Sequence, residues 1–361
     1  MILTINDLEY EKAQILSIIK EDLFKDNTCI AIYGVGFLGQ WSVQWLRNKG
    51  INITVAFDSD LSNIGNAIHG VTVYKQEDIT KICPDFVFIT ARHAVEPIKV
   101  QLDQENIPCC SLEAYCTADS FSKYLYIYNE LLSDEVSKKT LIAVLMSKLT
   151  GKKKYCEDVY ESNQYFSLPK FCGAEKDIYV DAGAYVGDSI ERFLWATNGF
   201  FSKIYGFEPA ARQYNALKNR VARIVNEWAL DEEKDIVLIN AALSDKTGII
   251  NSFIENEQLQ SVSLTAAGTT EVQTYSLDEF IDGKRVSFIK ADVEGMEMDL
   301  LKGAVQTIMT WRPKLAICVY HYPNDLQEIV DYLHDLMPEY EFKLRHHSPQ
   351  MMETVLYCWV D

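Results

Sequence analysis

The chain is 361 residues long, and its most chemically suggestive stretch is Asp181-Ala-Gly183-Ala-Tyr185-Val-Gly187-Asp188. The apolar run Ile178-Tyr179-Val180 leads into it, and helix-spaced Ile190, Phe193 and Leu194 follow. Glycine lets a backbone turn sharply and lie close to a ligand. The helix that starts there offers unpaired N–H groups and a positive dipole end. A nucleotide-like cofactor suits such a cradle. One acid at the strand end and no Gly-Lys-Ser/Thr run argue against a triphosphate. Gly183, Tyr185 and Gly187 would lie along the cofactor, with Asp181 and Asp188 accepting from its polar groups.

The strand ends that follow carry matching chemistry. The run Lys203–Phe207 closes in Glu208-Pro209, where one carboxylate can accept both hydroxyls of a ribose. Asn240, after Ile236–Ile239, either reads an adenine edge or braces the loop. The fourth run ends in Ile289-Lys290-Ala-Asp292-Val-Glu294-Gly-Met-Glu297, which clusters three acids and a lysine where open α/β sheets bind ligands. The fifth ends in Tyr320-His321-Tyr322-Pro323 and adds an imidazole. Asp292 or His321 would serve as general base. Asp292 and Glu294 holding a divalent ion would instead acidify a hydroxyl directly.

A second cradle stands earlier. Gly34-Val-Gly36-Phe-Leu-Gly39 follows the strand Cys29–Tyr33, and Asp58 closes the strand Ile53–Phe57. That is the dinucleotide spacing with its ribose acid. Arg92 and His93, after Phe86–Thr90, are expected phosphate contacts. Three uses stay open: a sugar nucleotide or regulatory ligand, NAD redox chemistry, or a structural domain without ligand.

Strands must alternate with helices to hold these loops. That alternation predicts an α/β protein of two Rossmann-like domains, 1–112 and 171–361, joined by a helical connector at 113–170. Within the connector Phe121, Leu125, Tyr128 and Leu132 recur at helical steps. A second helix opens at Ser133-Asp134-Glu135 and stops at Gly151; the connector as a whole also offers a homodimer surface. At the end, Tyr340–Arg345 and Glu353–Val360 flank a turn and predict an antiparallel hairpin.

Composition narrows the partners. A net charge of −18 disfavours nucleic acid, which needs clustered cations. Nine cysteines without CxxC spacing read as reduced thiols, with no zinc site. No long apolar span or leader is visible, so the expected location is cytoplasmic.

From about Tyr165-Phe166 to the C-terminus the chain resembles the FkbM-type family of S-adenosylmethionine-dependent methyltransferases. The resemblance rests on the loop Asp181–Asp188, on Phe207-Glu208-Pro209, on Ala-Leu-Ser-Asp245, on Ser276-Leu-Asp278-Glu-Phe, and above all on Lys290–Glu297 followed by Leu-Leu-Lys-Gly303-Ala. It implies a seven-stranded sheet with a reversed last strand, and a methyl donor held at Asp181, Gly183, Gly187 and Glu208. The acceptor would lie above Asp292, Glu294 and His321, and would be a hydroxyl of a sugar, nucleotide sugar or glycan precursor. The N-terminal part resembles the small Rossmann-like domains that precede sugar-modifying transferases. The rival functions are an NAD-dependent oxidoreductase or a nucleotide-sugar-binding protein, each using the first cradle.

Overall fold

The computed structural model describes residues 3–19, 21–25, 27–173, 176–231, 234–254, 262–263 and 270–361. Short apolar strands between amphipathic helices bury both faces only in a parallel sheet covered on each side. Two such sheets form. The first contains β1 (Ile30–Tyr33), β2 (Ile53–Asp58), β3 (Ala67–Ile68), β4 (Val71–Lys75), β5 (Phe86–Ile89) and β6 (Cys109–Ser111), in the order β3-β4-β2-β1-β5-β6. Every pairing in it is parallel except β3 with β4.

The later strands are β7 (Asp177–Ala182), β8 (Phe201–Phe207), β9 (Ile236–Ile239), β10 (Ala242–Leu243), β11 (Gly248–Ile254), β12 (Val262–Ser263), β13 (Thr270–Tyr275), β14 (Phe288–Ala291), β15 (Lys314–Cys318), β16 (Glu341–His346) and β17 (Thr354–Trp359). Seven of them make the second sheet, β16-β17-β15-β14-β7-β8-β9, and β10 to β13 make a small separate one. β17 runs antiparallel to both β15 and β16, so the terminal hairpin inserts one reversed strand. The α/β class, the seven strands and that hairpin are as the sequence predicts. β4, β6 and the small sheet are additions to that expectation.

In each sheet the chain leaves a central strand toward one side and returns on the other. β1 lies between β2 and β5, and β7 lies between β8 and β14. Loops diverging at such a switch point open a crevice at the strands' carboxyl ends. Both glycine loops stand there.

The segment 113–157 is mostly helical and 158–168 is not, and Asp134 caps the helix Glu135–Thr150 by accepting from the Ser137 N–H at 2.9 Å. Gly151 ends it at φ 74°. The helix has little polar face. From Leu141 to Leu149 every residue is buried, as a helix apolar all round must be. It packs on the helices Ile5–Ile18 and Leu112–Asp119 and on β16. Leu8, Phe121, Leu141 and Leu145 therefore share one core with Val180, Ile289, Ile317 and Phe342. The connector is interior to the second sheet's layer, and this helix is covered by its own chain rather than offered to a second copy. All nine cysteines are free thiols. Among the described residues no helix is long and apolar enough to cross a membrane.

Candidate active site

Gly183 leaves β7 at φ 75°, and its N–H donates to the Phe207 carbonyl at 3.0 Å. A Cβ at this position would overlap the Asp292 carbonyl oxygen, so the neighbouring strand itself demands glycine. Gly187, at φ 85°, precedes the helix Asp188–Thr197. Between them Tyr185 takes φ 47° and donates its N–H to Glu208 Oε2 at 2.9 Å. The Ala210 N–H reaches Glu208 Oε1 at 2.8 Å. Burial pushes the Glu208 carboxyl up to about 7, against the lowering effect of those two donors.

Asp181 departs from its expected role. It is fully buried and pairs with Lys290 Nζ at 3.0 Å, while its other oxygen accepts from Ser189. Lys290 also donates to the Ala182 carbonyl at 3.2 Å and the Gly183 carbonyl at 2.6 Å. Its three N–H donors are thereby committed. Burial works to lower the lysine's pKa, but Asp181 and Asp292 together outweigh it and hold the group protonated. The pair fixes the glycine loop from beneath, and Asp181 faces Lys290 rather than a ligand.

Asp292, just past β14, has its carboxylate held by hydroxyl groups. Tyr165 donates to Oδ2 at 2.6 Å, and the Tyr320 hydroxyl lies 3.2 Å from both Asp292 Oδ1 and Glu353 Oε1. Gln164 donates to the other Glu353 oxygen. Burial works against an ionised Asp292, but Lys290, then His321 and Tyr165, keep its carboxyl below the usual value. Burial, then Asp292, pushes Glu353 the other way.

His321 is enclosed by carboxylates. Glu297 Oε1 lies 3.0 Å from Nδ1, and Glu294 Oε2 and Asp292 Oδ1 lie 3.5 and 3.6 Å from Nε2. Burial would lower its pKa; Glu297 above all reverses this and pushes it up to about 10. At neutral pH it is an imidazolium with no lone pair for a substrate proton. Burial also raises Glu294, to about 7. Two groups of ligating atoms lie within 4.8 Å of one another, Asp292–Glu297–His321 and Asp292–Cys318–Glu353. Asp292 is in both; Glu294, the other expected ion ligand, is in neither.

Gly183, Tyr185, Asp188 and Glu208 line a cavity of about 240 Å³ together with Tyr165, Lys290, Asp292, Glu294, Tyr320 and Glu353. Asn240 stands outside this lining. Its amide donates to the Glu208 and Pro209 carbonyls at 2.9 and 3.0 Å, so it braces the loop. Two motifs quoted from the sequence also prove to be scaffold. Asp278 caps the helix Val305–Trp311 through Gln306 and Thr307, and a Cβ on Gly303 would overlap the Ser244 carbonyl. Glu353 and Tyr165 join the cluster without any local pattern to announce them. Only the β15–β17 pairing, Cys318 opposite Val355, brings Glu353 there.

The first cradle repeats the frame. Gly34 takes φ 104° and donates to the Phe57 carbonyl at 2.8 Å. Asp58 accepts from the Val35 and Asp60 N–H groups at 2.8 and 2.7 Å. The Thr90 hydroxyl lies 2.8 and 2.6 Å from the Tyr33 and Gly34 carbonyls. A Cβ on Gly39 would overlap the Gly34 carbonyl. Gly34, Gly36, Asp58, Arg92 and His93 line a cleft of about 1140 Å³. Arg92, expected to meet phosphate, pairs with Glu113 and donates to the His321 carbonyl at 3.2 Å, tying the two sheets together. Tyr322 does so too, its ring 5.1 Å from Phe37 and 4.9 Å from Trp41.

Residues 181–344 match the family model of the FkbM methyltransferase domain, and residues 26–110 that of the C2185-like N-terminal domain. No curated protein matches the chain. A methyltransferase FkbM from Methylobacillus flagellatus KT is similar in structure, with 21% identity, a TM-score of 0.61 and 98% of each chain covered. This likeness is one of fold. A putative methyltransferase from Streptococcus mutans in complex with SAH aligns over 58% of this chain and 95% of its own, at 12% identity and a TM-score of 0.30. UDP-D-quinovosamine 4-dehydrogenase from Vibrio fischeri aligns over 26% and 85%, at 19% identity and a TM-score of 0.22. The segment 181–344, which holds the cradle and acid cluster just described, thus carries a match to the FkbM methyltransferase domain, and the chain is an S-adenosylmethionine-type methyltransferase.

Proposed function

We propose that the cavity holds S-adenosylmethionine against the Gly183–Gly187 loop and Glu208, and that Asp292 deprotonates a sugar hydroxyl beside it. The observation that carries this is one cavity lined both by a ribose-type acid, Glu208, and by an ionised, hydroxyl-braced carboxylate, Asp292. When bound, the donor supplies a methyl already activated as an electrophile on a sulfonium. The residues fit it. Glu208 is buried and poised at about 7, short of donors that two ribose hydroxyls would supply.

The chain's own part is alignment and proton transfer. Lys290 and Asp181 fix the loop, and Tyr165 and Tyr320 fix Asp292, so an acceptor oxygen meets a base that is already oriented. Such a base contributes on the order of 100- to 10,000-fold. His321 keeps its proton and stabilises the Asp292 anion. Burial raises both Glu294, to about 7, and Glu353, so Glu294 can be a protonated donor near neutral pH. A polyhydroxylated acceptor with several lone pairs to satisfy suits that wall, which favours a sugar. Glu294's place outside both ligating groups means that an ion at Asp292 would be shared with Glu297 and His321, or with Cys318 and Glu353, rather than with Glu294.

Calorimetric titration with S-adenosylmethionine tests the donor end. The wild type should bind it, and Glu208→Ala should lose about tenfold to a hundredfold in affinity. No binding by the wild type, or unchanged binding by Glu208→Ala, overturns the assignment. At the other end, methyl transfer to a panel of free and nucleotide-linked sugars should show product; donor binding without product from any of them would leave a binding protein.

A further inference from the structure

We propose that the Gly34–Gly39 cleft binds a nucleoside diphosphate, and that this group is the handle by which the sugar acceptor is held. The second half of the statement rests on the methyl-transfer reading above; the first does not.

The glycines of this loop separate into two kinds. Gly34 and Gly39 are explained by the chain itself, since a Cβ on either would press on Ala91 or overlap the Gly34 carbonyl. Gly36 has no such reason. Its φ of −64° is open to any residue, and none of the described residues lies within 4 Å of where its Cβ would stand. It lines the cleft. An empty place beside a backbone that needs no glycine is where a ligand's approach would exclude a side chain.

The surroundings say what chemistry the ligand has. Gly36 starts the helix Phe37–Asn48, which has no side-chain cap and no acid in its first turn. Its N–H groups and positive dipole end are left for an anion. Arg92, His93 and Lys153 line the same cleft, and Arg92 Nε is buried without a hydrogen-bond partner. Asp58, on the adjacent strand end, has each carboxylate oxygen oriented by one backbone N–H and a free lone pair on each for a ribose. Phosphate on the helix and ribose on the acid describe a nucleoside diphosphate.

The cleft and the methylation cavity are lined by neighbouring residues of one turn. Gln350, Met351 and Met352 line the cleft, and the next residue, Glu353, lines the donor cavity. A sugar carried beyond the diphosphate across this hairpin would arrive at Asp292 and Glu353.

Calorimetry with UDP, GDP, ADP, CDP and dTDP tests the site. At least one should bind, and Gly36→Val should weaken it about tenfold or more while leaving the unfolding midpoint and S-adenosylmethionine binding unchanged. If none binds, or Gly36→Val binds equally well, the cleft assignment is wrong, while retained S-adenosylmethionine binding leaves the methyl-donor reading standing. The sugar conjugate of the bound nucleotide should be methylated faster than the free sugar, and Gly36→Val should abolish that preference. Binding of NADH with no nucleotide sugar bound would make the cleft a dinucleotide site and overturn the acceptor's handle.

Discussion

The two glycine cradles are the same joint built twice. In each, the first glycine of the loop donates to a phenylalanine carbonyl on the next strand, and the acid after that phenylalanine ties back to a loop N–H. The pairings place Tyr33 and Phe57 where Ala182 and Phe207 stand. By the same register Thr90 corresponds to Asp292, Phe88 to Lys290, and Ile32 to Asp181. The first sheet thus buries an apolar pair where the second buries an ion pair. Their helices differ as well. The one after Gly36 has no acid in its first turn, whereas the one after Gly187 carries Asp188 and Glu191. A strand–glycine–helix turn makes a cradle; the adjacent strand and the first helical turn decide whether it suits an anion or a cation with a reactive acid beside it.

Replacing the acid that only the second cradle has should give the largest effect. Asp292→Asn is expected to lower turnover about 100- to 10,000-fold in single-turnover assays while leaving donor affinity nearly intact. Joint loss of binding and turnover would mean that Asp292 holds the fold instead. The buried pair comes next. Lys290→Met strands the fully buried Asp181 charge and should cost about 3–5 kcal/mol in chemical denaturation. Adding Asp181→Ile to Lys290→Phe, which copies the first sheet, should restore most of that stability. Should the double change cost more than Lys290→Met alone, the two joints are not interchangeable.

A glycine contrast follows. Gly183→Ala should destabilise by about 2–3 kcal/mol through overlap and positive φ, and Gly36→Ala by under about 0.5 kcal/mol. The smallest effect is a pH dependence. Glu208 has a folded value of about 7, above its usual 4.5, so the folded state favours the proton and loses stability as pH rises between them. The thermal shift produced by S-adenosylmethionine should therefore be larger at pH 8 than at pH 6, and Glu208→Gln should flatten the difference. An equal shift at both pH values would show that the ribose does not meet this carboxylate.

Most of this frame can be read along the chain. Strand ends, glycine spacing and Glu208 are local, and local pattern reaches them. Asp181 shows where that fails. Both faces of a covered parallel strand are buried, so alternation cannot tell whether a side chain points to a ligand or to a lysine on the next strand. Likewise Tyr165 and Glu353 lie far from Asp292 in sequence; the β15–β17 pairing brings Glu353 to it, and Tyr165 comes from a loop and donates its own N–H to the Tyr357 hydroxyl on β17. His321 was legible as a neighbour of the acids, but its charge depends on Glu297, which reaches it from the helix Glu297–Lys302.

The helix Glu135–Thr150 has a consequence for how the molecule can be divided. Its surface is spent on the helices Ile5–Ile18 and Leu112–Asp119 and on β16, elements drawn from the start, the middle and the end of the chain. A cut on either side of it would hand one fragment a bare apolar rod and leave the other with an apolar trough. Neither piece could face water without aggregating. The two cradles are thus inherited, expressed and degraded as one object, and a methyltransferase trimmed to residues 181–344 would lack a wall of its own interior.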